Sequence, residues 1–161
     1  VDDAREVGAD RIVNDVAAIR KYGAPLIVID FGTATTFNAI NEKGEFIGGA
    51  VAPGMRGSLD SLVSGTAKLP RVEIETPKSV IGKNTTTNLQ AGLVFGFAGL
   101  VDYIVKKTKR EMKLPDIQVV ATGGFSGIIA KEVGCIDHVD KLLTLQGLKY
   151  LYDLNCSEGK K

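Results

Sequence analysis

Residues 29–36 read Ile-Asp-Phe-Gly-Thr-Ala-Thr-Thr, so a carboxylate, Asp30, ends an apolar run and is followed by a glycine and three hydroxyls. Gly32 lets the backbone approach a phosphate closely, and Thr33 can donate from both its hydroxyl and its N–H. Asp30 can hold a cation near those phosphate oxygens, directly or through water. The plainer alternative is a hairpin in which Asp30 caps a turn. Thr122-Gly123-Gly124 is a second glycine turn, placed after Val119-Val120-Ala121. Such a turn can aim backbone N–H groups and a helix N-terminus at a ligand, although a Gly-Gly pair more often marks only a sharp bend.

Gly8-Ala9-Asp10-Arg11 sets a carboxylate beside a guanidinium at a helix start. Asp10 could act as general base toward a hydroxyl, and Arg11 could hold a carboxylate or phosphate bidentately. Equally, Asp10 could cap the helix and Arg11 could be solvated. At Gly82-Lys83-Asn84-Thr85-Thr86-Thr87-Asn88, hydroxyls and amides crowd another helix start, where they could bind a polar substrate or simply cap. His138 reads as a surface residue.

The elements that must carry these groups follow from periodicity. Ile12, Val13, Val16 and Ile19 repeat at helical spacing over about 10–22. Leu26-Ile27-Val28-Ile29 is a continuous branched run, the pattern of a strand buried on both faces. Residues 34–40 and 45–51 read as two more strands. Their short connections impose an antiparallel meander. A helix is expected from Met55 to Gly65, a short strand around Val72 and Ile74, and a long helix from Asn84 or Thr85 to about Arg110. A further buried strand covers 117–121, a short helix 125–133, and Thr144 is expected to cap a last helix through Leu151. Gly92, Gly96 and Gly99 form a stripe on the long helix that suits close helix packing, within the chain or between subunits.

The chain has 161 residues, 44% of them apolar, with 20 Lys and Arg against 19 Asp and Glu. That is one domain's length with no one-signed charge, which argues against nucleic-acid binding by bulk charge. Two cysteines without a CxxC pair, and one histidine, argue against a zinc site or a disulfide scaffold. No apolar run in the sequence reads as a membrane span and no signal peptide opens the chain, so neither a membrane nor a nucleic-acid partner is expected and a cytoplasmic location is. The domain is expected to cover 1–154, with a frayed tail at 155–161. Glycine is enriched, at 19 residues, about 12% against a usual ~7%.

Two strand-end glycine turns in one mixed sheet resemble the nucleotide grip of actin, sugar kinases and heat-shock ATPases. The expected fold is therefore α/β, a ribonuclease H-like (actin-like ATPase) domain. Its mixed sheet would join an antiparallel three-strand meander to parallel strands and be flanked by helices. More specifically, GADR at 8–11, DFGTATT at 30–36, GGAVAPG at 48–54, GTAKLP at 65–70, GKNT at 82–85 and TGG at 122–124 together resemble type III pantothenate kinase. They occur in family order along nearly the whole chain.

The resemblance implies ATP-dependent phosphorylation of pantothenate to 4'-phosphopantothenate, the first step of coenzyme A synthesis, by a phosphotransferase with an alcohol acceptor. It makes Asp10 the proton acceptor, and Gly8, Ala9, Arg11 and Thr85 the remaining pantothenate contacts. Asp30 becomes the ligand of a monovalent cation, potassium or ammonium. Gly32, Thr33, Gly123 and Gly124 fall to ATP, which would arrive with Mg2+. It also implies a homodimer with the pantothenate pocket at the subunit interface. Asn38 departs from the family, which often has Asp there, and is expected to touch none of these roles. The family's opening Asp-x-Gly-Asn-Thr-type phosphate turn does not precede Gly8. The chain is accordingly expected to be the C-terminal domain of the kinase, with little activity alone. The alternatives are a transcription accessory protein of the same family, or a kinase of the same fold acting on another small hydroxyl substrate.

Overall fold

The computed structural model describes the backbone of residues 7–66 and 69–158 and the side chains of 7–66 and 69–156. The polar opening residues 1–6, the Ala67-Lys68 pair of the GTAKLP segment and the end of the tail, 159–161, lie outside the described residues. Helix α1 (Ala9–Tyr22) leads into strands β1 (Leu26–Phe31), β2 (Ala34–Ile40) and β3 (Phe46–Pro53). Helices α2 (Met55–Ser64) and α3 (Thr85–Met112) follow, then β4 (Gln118–Gly123), α4 (Ser126–Ile129), β5 (His138–Val139) and α5 (Leu143–Glu158). The sheet order is β3-β2-β1-β4-β5. β1, β2 and β3 pair antiparallel, while β4 runs parallel to β1 and β5 parallel to β4. This is the mixed sheet of a ribonuclease H-like domain.

Alternation along the strands divides the core. Ile27, Ile29 and Phe31 point to one face, where they meet Phe37, Leu93, Val94, Phe97, Val101 and Val105. Leu26 and Val28 point to the other and meet Ala17, Ala18, Val120 and Leu143. Thus α2, α3 and α4 cover one face, and α1 and α5 the other. Burial on both faces is what the unbroken branched run of β1 requires.

The long helix passes by length and composition for a membrane span, with a mean hydropathy of 1.4 over its best window. This differs from the expectation that no run of the sequence would read as one. Its stripe from Leu93 to Val105 packs on the sheet, as a core helix does.

Several expectations need correction. No strand forms around Val72 and Ile74. Both residues are buried in the core instead, and Gln90 Nε2 donates to the Glu73 carbonyl at 3.0 Å, tying the segment to α3. The helix after Gly124 is only Ser126–Ile129. Thr144 is not a cap. Asp140 accepts the Leu142 N–H at 3.1 Å in the turn before the helix, while Thr144 turns its hydroxyl to Asn14. Of the tail expected from Asn155, the part to Glu158 is helical and belongs to α5. His138 is not a bare surface residue either: it pairs in β5, stacks on Tyr22 at 4.5 Å, and bonds Gln118 at 3.0 Å.

Candidate active site

The strand register puts Thr36, Asp30 and Thr122 side by side on β2, β1 and β4, on the face that α1 covers. Asp30 lies within β1 rather than in the turn after it. Asn14, on α1 and 1% exposed, donates its amide to Asp30 Oδ2 at 2.9 Å. The other carboxylate oxygen faces glycine. A Cβ on Gly123 would sit 2.7 Å from Asp30 Oδ1 and 2.6 Å from the Phe31 carbonyl, and Gly123 has φ +91°. Only glycine suits that position on both counts. Burial raises the Asp30 pKa, the Asn14 amide works against it, and the charge of Asp10 adds to the rise.

Asp10 lies in the first turn of α1 and is exposed. It does not cap the helix: Gly8 is the N-cap and receives no side-chain bond. A Cβ on Gly8 would come within 2.6 Å of Asp10 Oδ1, so the carboxylate folds over the glycine. Arg11 is not simply solvated. Its Nε donates to Asn38 Oδ1 at 2.8 Å, and its guanidinium lies over the Phe46 ring at 5.1 Å. Asn38 Nδ2 in turn donates to Asp15 Oδ1 at 2.7 Å. Asn38 therefore does touch an assigned role, against expectation, because its amide is the partner of Arg11. Asp15 is 6% exposed, and burial pushes its carboxyl up to about 6 against the opposing pull of Asn38 and Arg11.

The structure thus gathers Asp10, Arg11 and Asp30 around α1 and the β1–β2 strands, with Gly123 closing on Asp30. Gly32 and Thr33 are exposed in the β1–β2 turn, and Gly54 packs against the Thr33 carbonyl. Gly124 is exposed beyond the strand with open space at its α-carbon. Thr85 is apart. It is exposed at the start of α3, which covers the opposite sheet face from α1. The preceding GKN segment serves as a capping box: Asn84 Oδ1 accepts the Thr87 N–H at 2.9 Å, and Thr87 Oγ1 accepts the Asn84 N–H at 3.2 Å.

Sequence reasoning missed Asn14, Asp15 and Asn38. A signal existed: Asn14 and Asp15 each follow Asp10 and Arg11 by four residues, one helical turn, inside an apolar stretch.

The profile of the type III pantothenate kinase family matches residues 1–107. The chain belongs to that family. A curated type III pantothenate kinase from Moorella thermoacetica is 56% identical over 151 residues, covering 94% of this chain and 59% of the relative. The chain therefore spans about three-fifths of that relative's length. Among solved structures, a Campylobacter jejuni protein described as a Baf family transcriptional activator aligns with a TM-score of 0.67 at 21% identity, over 96% of this chain and 67% of that one. This likeness shows the fold. An activator of 2-hydroxyisocaproyl-CoA dehydratase from Clostridium difficile aligns over 94% of this chain and 69% of its own, at 14% identity and a TM-score of 0.46.

The GADR segment forms the first turn of α1, one turn before the Asn14 that reaches Asp30, and the DFGTATT segment supplies the end of β1, the turn and the start of β2.

Proposed function

We propose that the protein carrying this chain phosphorylates pantothenate with ATP, and that this chain holds the acceptor side of the reaction. The observation behind the reading is that α1, which carries Asp10 in its first turn, is tied to Asp30 by the Asn14 amide at 2.9 Å, which supports a single site for a proton acceptor and a cation ligand. Membership in the family supplies the substrates.

In this reading Arg11 binds the pantothenate carboxylate through its free Nη groups, since its Nε is already engaged by Asn38. The substrate's primary hydroxyl lies against Asp10. As the hydroxyl oxygen attacks the γ-phosphorus in line, Asp10 takes its proton. The new O–P bond forms while the bond to the β,γ-bridging oxygen breaks, and ADP leaves. Gly32, Thr33 and the Gly123-Gly124 turn offer N–H and hydroxyl donors to the phosphates.

The residues around Asp30 fit a monovalent cation. Asp30 Oδ2 is engaged by Asn14, which leaves Oδ1 as the carboxylate oxygen that would hold it, a hard oxygen donor with a single charge. Potassium or ammonium there would offset charge that develops near the phosphates. Mg2+ would arrive with ATP, held chiefly by the phosphates and water.

A homodimer, with the pocket completed across the interface, is part of the same proposal. Gly92, Gly96 and Gly99 face open space on α3, and Thr85 would then reach the pocket from the partner. A cytoplasmic location agrees with a soluble acid as substrate.

The test is an assay of the full gene product with ATP, pantothenate and potassium. Formation of 4'-phosphopantothenate, reduced about 100-fold or more in Asp10→Asn, supports the reading. ATP turnover that ignores pantothenate, or a full rate in the variant, would sink it.

A further inference from the structure

The polar chain from Arg11 through Asn38 to Asp15 ends in a buried carboxylate that the reaction does not use. Each link has a fixed direction. An arginine Nε can only donate, so it needs the carbonyl oxygen of Asn38. An amide, however, can present either its oxygen or its nitrogen, and nothing in Arg11 alone holds Asn38 in the required orientation. Asp15 does. An ionised carboxylate can only accept, so it must face the Asn38 NH2, and the Asn38 oxygen must then face Arg11.

We propose that Asp15 is a positioning residue that fixes the amide orientation of Asn38 and, through it, the presentation of the Arg11 guanidinium to an acidic substrate. The proposal rests on the reading of Arg11 as the substrate's carboxylate anchor. The surroundings are built for it. The guanidinium lies between the Phe46 ring and the backbone of β3 at Gly49, where a Cβ would come within 2.9 Å of Arg11 Nη2. With Nε spent on Asn38, the Nη groups remain for a bidentate ligand.

Asp15 opens on a cavity of about 310 Å³ between α1 and β2–β3, lined also by Ile12, Val16, Ile19, Ile40 and Phe46. Arg11 is the charged side chain that acts on Asp15 from its own helix, and β2 contributes only Asn38. β3 and the β2–β3 turn contribute Phe46 and Gly44, which carry no charge. Protonated Asp15 can donate as well as accept. Asn38 is then free to turn over and set its NH2 against the Arg11 Nε–H, two donors face to face. The relay therefore holds above about pH 6 and loosens below it.

The experiment follows the Arg11 Nε–Hε group by NMR in the 161-residue chain without substrate. In the wild type, its hydrogen exchange, corrected for intrinsic pH dependence, should be protected at pH 7.5, and that protection should fall about tenfold as Asp15 protonates. Asp15→Asn keeps an acceptor oxygen but removes the one-way constraint, and should lose the protection at every pH. The exchanged pair, Asp15→Asn with Asn38→Asp, should recover it at pH 7.5. The carboxylate, moved to the β2 position, would accept directly from Arg11 and from the amide that has taken its place on α1. A merely structural Asp15 predicts no such recovery. Protection unchanged in Asp15→Asn, or absent from both the single and the exchanged variant while their amide spectra remain folded, overturns the proposal. So does wild-type protection that is constant from pH 5 to 7.5, an arm that needs no variant. Adding pantothenate to the same samples separates the two readings: an intact relay with no response at Arg11 fails the substrate reading alone.

Discussion

Asn14 and Asp30 meet amide to carboxylate at 2.9 Å across the junction of α1 and the sheet, and the Asn14 oxygen accepts from Thr144 Oγ1 at 2.6 Å. One buried side chain thus ties the helix that carries Asp10, the strand that carries Asp30, and α5. Its amide is the group that opposes the effect of burial on Asp30.

Replacing Asn14 with Ala should strand both partners. The expected cost is roughly 1–3 kcal/mol, the usual penalty for leaving buried polar groups unpaired. The Asp30 carboxyl should also titrate higher than in the wild type. Urea unfolding checks the first outcome, and a carboxyl-carbon NMR titration the second.

Asp15 makes stability depend on pH in a definite direction. Its folded pKa, about 6, lies above the unfolded value of 3.8, so between them the native state binds more protons. Stability from this group is therefore full below the unfolded value and is lost as pH rises through the folded one. Asp15→Asn removes the dependence. Its stability relative to wild type should improve by on the order of 2–3 kcal/mol between pH 4 and pH 7. Denaturant curves for both proteins at the two pH values measure it.

At Gly123 the backbone has φ +91° and two oxygens crowd the α-carbon. Gly123→Ala should cost roughly 1–3 kcal/mol and push Asp30 Oδ1 from its place. If the cation reading holds, potassium should protect the wild type against heat more than it protects this variant. Equal protection of the two would detach Gly123 from that site.

Asp140 behaves in the opposite sense to Asp15. Burial would raise its pKa, but Lys21 at 2.6 Å, the Leu142 N–H and the Tyr22 hydroxyl outweigh it, and the net result is a lowered value. The stability it contributes is present above the unfolded value and lost as pH falls through the folded one. Asp140→Ala should cost about 2 kcal/mol at neutral pH, as the loss of its bonds with Lys21, Tyr22 and the Leu142 N–H, and less at pH 3. Melting temperatures at the two pH values test this.

Much of the fold was legible because burial leaves a period. The branched run at 26–29 could only be a two-faced strand, and the short links to 34–40 and 46–53 could only make a meander. The site was legible where its chemistry is carried by unusual strings, Gly-Ala-Asp-Arg and Asp-Phe-Gly-Thr. Asn38 shows where reading stopped. In sequence it is a polar residue in a strand, and only the register of β2 against β1 turns it under α1 toward Arg11 and Asp15. Val72 and Ile74 alternate as a strand does, yet alternation reports an inward face and not a pairing partner. β5, two residues long, has no period to read.

The pairing of β1 with β4 sets Leu26 beside Gln118, with α2 and α3 held between them in the chain. By contrast, the contacts among Arg11, Asp15, Asn38 and Gly49 close within the first third of the sequence. Closing the longer loop costs more chain entropy and comes later. As the chain leaves the ribosome, Arg11 and its partners are synthesised well before the glycine that closes on Asp30 Oδ1. The two halves of the candidate site thus differ in the length of chain that must close to build them, as well as in chemistry.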